Sequence, residues 1–138
     1  KVEQKQKKSF LKMKVICMSD LQPDLLIDNY VFCTFPQKKY GDLEYLSPIG
    51  FFQENEGITL VITEEMAILH DLSFEGIFKC ISLRLISTLS SVGLTKKIAN
   101  LLANKDISAN IYAGYYHDHI FVPLERADEA FMLLSESK

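Results

Sequence analysis

The 138-residue sequence has no apolar run near the roughly 20 residues that a membrane-spanning helix needs. No segment shows the basic, apolar and small-residue succession of a secretory signal. Cysteines are also few: Cys17, Cys33 and Cys80 are far apart, odd in number and set among apolar residues. This usage argues against a disulfide framework and against a cysteine zinc site. We therefore expect no membrane partner and a reducing, cytoplasmic environment.

Charge is spread unevenly along the chain. Residues 1–14 hold six lysines and one glutamate (+5), and because the whole chain carries −3, the remainder carries −8. A basic arm of this kind can bind nucleic acid or anionic lipid. However, it contains no aromatic residue besides Phe10, and the acidic remainder would repel a polyanion. We expect residues 1–20 to form a basic arm with a short helix, and we expect no nucleic-acid partner.

The first half of the chain predicts a strand, a loop, a hairpin and a helix. Tyr30–Phe35 is rich in strand-forming residues and is closed by a proline. The apolar runs Ile49–Phe52 and Ile58–Ile62 flank a short polar segment that ends in glycine, which indicates a hairpin. Thr63 is a plausible N-cap for the short helix that follows, because two acidic residues occupy its first turn.

The second half repeats this order, with a helix after its first strand. Phe78–Ser87 alternates like a strand, and residues 107–123 read as a second hairpin. The apolar spacing in “LTKKIANLLANK” and “LERADEAFMLL” indicates two helices. Strand, helix, hairpin and helix give an α+β, ferredoxin-like unit that lacks its fourth strand. We predict two such lobes, residues 21–76 and 77–138, with antiparallel sheets and helices on one face.

The chain contains the segments “YVFCT”, “GLT”, “SPIGFF…EGITLVI” and “ISAN…AGYYHDHIFVP”. They resemble the ACT domain, the small ligand-sensing module of amino-acid metabolism, and the resemblance spans roughly Leu21 to Leu134. The match is to short bacterial proteins built from two ACT-like halves. The resemblance implies a regulatory protein, since similar paired modules bind amino acids in aspartate kinases and in an arginine sensor of animal cells. It also implies a ligand held between the first strand–helix loop of one module and a strand of its neighbour.

The stretch “HDH” admits three interpretations. His117 and His119 are two residues apart on a strand and face the same side, so both could reach one metal ion. Zinc sites normally need a third protein ligand, and His70 is the remaining histidine. The alternatives are a polar turn, with Asp118 bonded to backbone amides, or one wall of a ligand pocket. We expect neither a metal ion nor another cofactor.

The loop “STLSSVGLT” is the second candidate feature, because its serines and glycine precede a helix start. Free N–H groups there would suit a ligand carboxylate, although serine and threonine also serve as ordinary caps. We predict a non-enzymatic, amino-acid-binding regulatory protein that is a homodimer. The alternative is a dimerisation module without a ligand, and a metal-dependent enzyme ranks third. The predicted ligand-binding residues are Ser87, Ser91, Val92, Gly93, Leu94, Asn110, Tyr112 and Asp118.

Overall fold

The structure, a computed structural model, describes residues 21–136, so the short helix predicted before residue 20 lies outside the described residues. The described strands are β1 (Pro23–Phe35), β2 (Gly50–Glu54), β3 (Gly57–Thr63), β4 (Phe78–Leu83), β5 (Asn110–Ala113) and β6 (Asp118–Pro123). The described helices are α1 (Glu64–Leu69), α2 (Leu94–Ala103) and α3 (Ala127–Glu136). Short 3₁₀ turns occur at Tyr40–Asp42, Glu44–Leu46 and Leu124–Arg126. None of the described helices has the length and apolar character to cross a membrane.

The helices begin and pack much as the sequence predicts. The side chain of Thr63 accepts a hydrogen bond of 3.2 Å from the backbone N–H of Met66 and so caps α1. Helix α2 buries Leu94, Ile98 and Leu102, which recur on one face of the helix. All three helices pack on the same face of the sheet, as predicted, where they form two apolar clusters with the strands.

The two halves share one sheet, and this corrects the prediction of a separate sheet for each lobe. All neighbouring strands are antiparallel and their order is β2-β3-β1-β4-β6-β5. Pro23–Leu25 of β1 pairs with β4 and supplies the fourth strand that the second half lacked. Asn29 and Tyr30 pair with the start of β4, which in turn is the fourth strand of the first half. The register shifts between Leu25 and Asn29, so β1 changes its pairing there as it passes from one half to the other.

The face of the sheet opposite the described helices is concave. Strands β2 and β5 are the two edges, and five strand spacings would separate them by about 24 Å in a flat sheet. Yet a Cβ placed on Gly50 of β2 would lie 3.3 Å from the ring of Tyr112 on β5. The sheet therefore curls until its edges meet. This curl buries a third cluster, formed by Tyr30, Val61, Cys80 and Phe121, on the face that no described helix covers.

Candidate functional site

A small cavity of about 70 Å³ lies between the β4–α2 loop and the β5–β6 turn. Its lining residues are Ser87, Thr88, Leu89, Ser91, Leu94, Thr95, Ala113, Gly114 and Asp118. Hydroxyl groups and one carboxylate dominate this lining, and Leu89 and Leu94 contribute the larger apolar surfaces. The site therefore combines polar groups that can orient a ligand with a limited apolar wall.

Two hydrogen bonds to backbone carbonyls hold the two walls together. The N–H of Ser87 donates to the carbonyl of Tyr116 at 3.2 Å, and Nδ1 of His117 lies 3.2 Å from the carbonyl oxygen of Leu85. Within the turn, the N–H of Gly114 donates to the carbonyl of His117 at 2.9 Å. The loop and the turn are thus bonded to each other on both sides of Ile86, and their separation at the cavity is well defined.

Among the described residues, Asp118 is the one charged residue that is buried, with 9% of its surface exposed. The hydroxyl of Ser87 donates a hydrogen bond of 3.3 Å to its Oδ2 atom. A carboxylate has about four acceptor positions, so this one donor leaves most of them available. A buried carboxylate is costly unless it is paired or hydrogen-bonded. The arrangement favours a cation or an N–H donor in the cavity.

The start of α2 forms the opposite wall. Its N-cap is Gly93, whose φ of +95° lies in the left-handed region and which offers no side chain to cap the helix. The first turn of α2 contains no acidic residue. Leu94 and Thr95, in the first turn of α2, line the cavity, so the positive end of the helix dipole lies beside it. No side chain caps the helix by accepting a hydrogen bond from its first N–H groups. Asp118 and the start of α2 present opposite charges to the same small space.

The structure brings together four of the eight predicted site residues: Ser87, Ser91, Leu94 and Asp118 line the cavity. Gly93 belongs to the same loop but outside the lining, and Val92 is 92% exposed. Five further residues line the cavity and were not among the predicted ones: Thr88, Leu89, Thr95, Ala113 and Gly114. Ala113 could have been found, because it precedes the turn and alternates with Tyr112 along the strand.

Asn110 and Tyr112 lie on the other face of the sheet. Asn110 pairs with Phe121 and Tyr112 pairs with His119, so these side chains point to the concave face. The ring of Tyr112 packs 5.7 Å from that of Phe121, and burial raises the pKa of the Tyr112 phenol. Strand alternation therefore separates both residues from the cavity, where Asp118 faces the helices.

The histidines of the “HDH” stretch make structural hydrogen bonds. Nδ1 of His119 lies 2.8 Å from the hydroxyl oxygen of Ser82. Burial, and then the neighbouring His117, hold the pKa of His119 below its ordinary value of 6.5, although Asp118 opposes them. Within residues 21–136, no three His, Cys, Asp or Glu side chains converge on a possible metal position.

A second depression lies beside the register shift in β1. Its volume of about 210 Å³ is larger than that of the cavity. Its lining includes Asp28, Asn29, Glu64 and Glu65. The amide of Asn29 donates to Glu64 at 2.9 Å, and Asp28 and Glu65 are exposed to solvent. Exposed carboxylates are stabilised by water, so they provide weaker evidence for a ligand than the buried Asp118. We therefore take the smaller cavity as the candidate site.

Comparison with known proteins places the chain in a family. Models described as ACT domain match residues 17–79 and 75–136. A Vibrio cholerae protein of unknown function, described as a possible transport protein, is 43% identical, with a TM-score of 0.77 over 86% of this chain and 91% of that chain. An Agrobacterium tumefaciens protein is 13% identical, with a TM-score of 0.69 over 84% of this chain and 87% of that chain.

The ligand-free regulatory subunit of aspartate kinase from Thermus thermophilus has the same fold. It is 12% identical, with a TM-score of 0.57, and the alignment covers 83% of this chain and 95% of that chain. No curated protein matches the sequence. Together, the two family matches cover all of the described residues, in agreement with the resemblance that the sequence suggested. The chain belongs to the ACT-domain family.

Proposed function

We propose that the protein is a non-enzymatic regulatory protein that binds a small amino acid in the cavity beside Asp118. The observation that carries the proposal is the pairing of a buried carboxylate with an uncapped helix start across one small space. An amino acid is a zwitterion. Its ammonium group would donate to Asp118, and its carboxylate would accept from the first N–H groups of α2.

The size of the cavity supports recognition of the amino-acid head group. A volume of 70 Å³ is room for about two water molecules at about 30 Å³ each. The ammonium and carboxylate groups would fill most of it, and the ligand side chain would extend past Leu89 toward the mouth. The regulatory role is supported by the family and by the fold shared with an aspartate kinase regulatory subunit.

A ligand screen followed by calorimetry tests this proposal. A thermal-shift screen of the twenty standard amino acids at millimolar concentration should show stabilisation by at least one of them, because a ligand of the native state raises its stability. Replacing Asp118 by Asn should then weaken binding at least tenfold, since a charge-assisted hydrogen bond contributes roughly 1.5–3 kcal/mol. The control Asp28→Asn removes the same charge at the other depression and should leave the affinity unchanged. Equal affinity in Asp118→Asn and wild type would remove this residue from the site.

A rim of exposed apolar side chains supports homodimer formation and also the alternative function. The rim residues are Ile86, Leu89, Val92, Tyr115 and Tyr116, each more than 60% exposed. They belong to the β4–α2 loop and the β5–β6 turn, which form the two walls of the cavity, and exposed apolar patches mark interaction sites. Light scattering should give a dimer mass for the wild type and a monomer mass for Val92→Asp. A dimer that binds no amino acid would favour the module without a ligand.

The cytoplasmic location is also a proposal. Cys33 and Cys80 are free thiols, and both are buried. Burial raises the pKa of Cys80 to about 11, so this thiol is protonated and unreactive at neutral pH. Free thiols fit a reducing compartment. Cell fractionation with an antibody to the protein tests the location, and recovery in a secreted or membrane fraction would contradict it.

A further inference from the structure

The strand register allows the two halves to be compared residue by residue. Tyr30 of β1 pairs with Thr63, the last residue of β3, and Phe78 of β4 pairs with the last residue of β6, Pro123. Starting from these two residue pairs, the β1–β3 and β4–β6 pairings continue in the same way, with numbers rising along β1 and β4 and falling along β3 and β6. Five residues before Thr63 is Ile58, and five residues before Pro123 is Asp118. Both side chains face the helix-covered side of the sheet, so Ile58 occupies in the first half the position that Asp118 occupies in the second.

Ile58 contributes to the hydrophobic core. It has no exposed surface and packs in the apolar cluster of the first half together with Leu43 and Leu46. These two leucines belong to the loop between β1 and β2, which takes the place of the β4–α2 loop and of α2. The charged group that favours a cation in the second half is therefore replaced by an apolar side chain in a filled core.

The helix start is replaced as well. Between β1 and β2 the chain forms two 3₁₀ turns of three residues each, Tyr40–Asp42 and Glu44–Leu46. Turns this short do not sum peptide dipoles as the ten-residue α2 does. The hairpin is also shorter, since two residues separate β2 from β3 whereas four separate β5 from β6. Beside it, a Cβ on Gly57 would clash with the carbonyl oxygen of Phe35 on β1.

We infer that each chain binds one ligand, in the second half, and that the first half is a copy whose equivalent position has been converted to core. The inference rests on the proposed function, since it assigns the proposed site to one half. The two ACT-like halves are thus not interchangeable. The second half recognises the ligand, whereas the first half supplies the strand that completes its sheet.

Calorimetry and NMR together test this inference on the full chain. The twenty standard amino acids, titrated one at a time, should bind at one molecule per chain, and Asp118→Asn should lower the affinity at least tenfold without revealing a second site. Amide resonances of residues 85–96 and 113–118 should shift on titration, whereas those of residues 37–58 should not. Asp28→Asn again serves as the matched control.

The outcomes separate the two proposals. Two molecules per chain, or ligand-dependent shifts at residues 37–58 that survive in Asp118→Asn, would overturn the single-site inference and leave amino-acid binding standing. The absence of heat and of shifts with all twenty amino acids would overturn the proposed function and this inference with it.

Discussion

Replacement of Phe121 by alanine tests whether the concave face of the sheet is a true core. Phe121 is 2% exposed although no described helix covers it. Its ring meets those of Tyr30, Phe32 and Tyr112 edge-on, at centroid distances of 5.8, 5.5 and 5.7 Å. A buried Phe→Ala change costs about 3–5 kcal/mol, which includes the lost ring pairs and the cavity left behind. We expect this loss because the curl of the sheet leaves no neighbour free to fill the space.

Chemical and thermal denaturation measure the effect. With an unfolding entropy of about 2.1 cal/mol/K per residue, a loss of 3–5 kcal/mol lowers Tm by about 10–17 °C in a chain of this length. The matched control is Phe52→Ala, a ring on the same face of edge strand β2 that is 66% exposed. That change should cost no more than about 0.5 kcal/mol, as at other exposed positions. Similar losses in the two variants, or a loss below about 1 kcal/mol for Phe121→Ala, would refute a curled sheet with a buried interior.

Three further predictions concern titration, backbone strain and strand sharing. Because the folded-state pKa of His119 lies below 6.5, the unfolded state takes up the proton first, and wild-type stability should fall as the pH drops below about 6.5. In urea titrations at pH 5 and 7, His119→Gln should lose less stability than the wild type, and an equal loss would contradict this. Gly57→Ala should lower the unfolding free energy by at least about 1–3 kcal/mol, since its φ is +145° and the new Cβ would meet backbone; an unchanged denaturation midpoint would contradict this. A fragment of residues 77–138 lacks Pro23–Leu25, the segment that pairs with β4. It should therefore unfold without a cooperative thermal transition when followed by circular dichroism. A sharp transition would show that the second half folds alone.

Local patterns in the sequence predicted most elements of the fold correctly. The hairpins, the apolar face of α2 and the cap at Thr63 follow from alternation, helical spacing and residue chemistry, which act over a few residues. The extent of β1 did not follow from such patterns. The strand begins at Pro23 and includes two aspartates and an asparagine, so its first half reads as a loop. Its pairing with β4, some 50 residues away, keeps that segment extended.

Two of the predicted site residues, Asn110 and Tyr112, lie away from the cavity because a strand places alternate side chains on opposite faces of the sheet. The alternation of β5 correctly separates Asn110 and Tyr112 from the Ile/Ala face. The polar side chains opposite this apolar face were predicted to contact the loop that binds the ligand. In the structure, the loop and α2 lie on the apolar face itself, where Ala113 and Asp118 point. The curl of the sheet then brings the ring of Tyr112 close to Gly50 on the opposite edge, a long-range contact that local alternation cannot indicate.

The shared ladder of β1 and β4 explains why two incomplete halves form one stable unit. Each half alone would hold three strands and expose its first strand as an unpaired edge, which invites association with other chains. Pairing β1 with β4 removes both edges at once. The ladder continues beyond β4, where the N–H groups of Arg84 and Leu85 donate to the carbonyls of Gln22 and Leu21 at 3.0 and 3.3 Å. The loop that lines the cavity is therefore anchored to the strand that opens the first half, so the position of the candidate site depends on both halves.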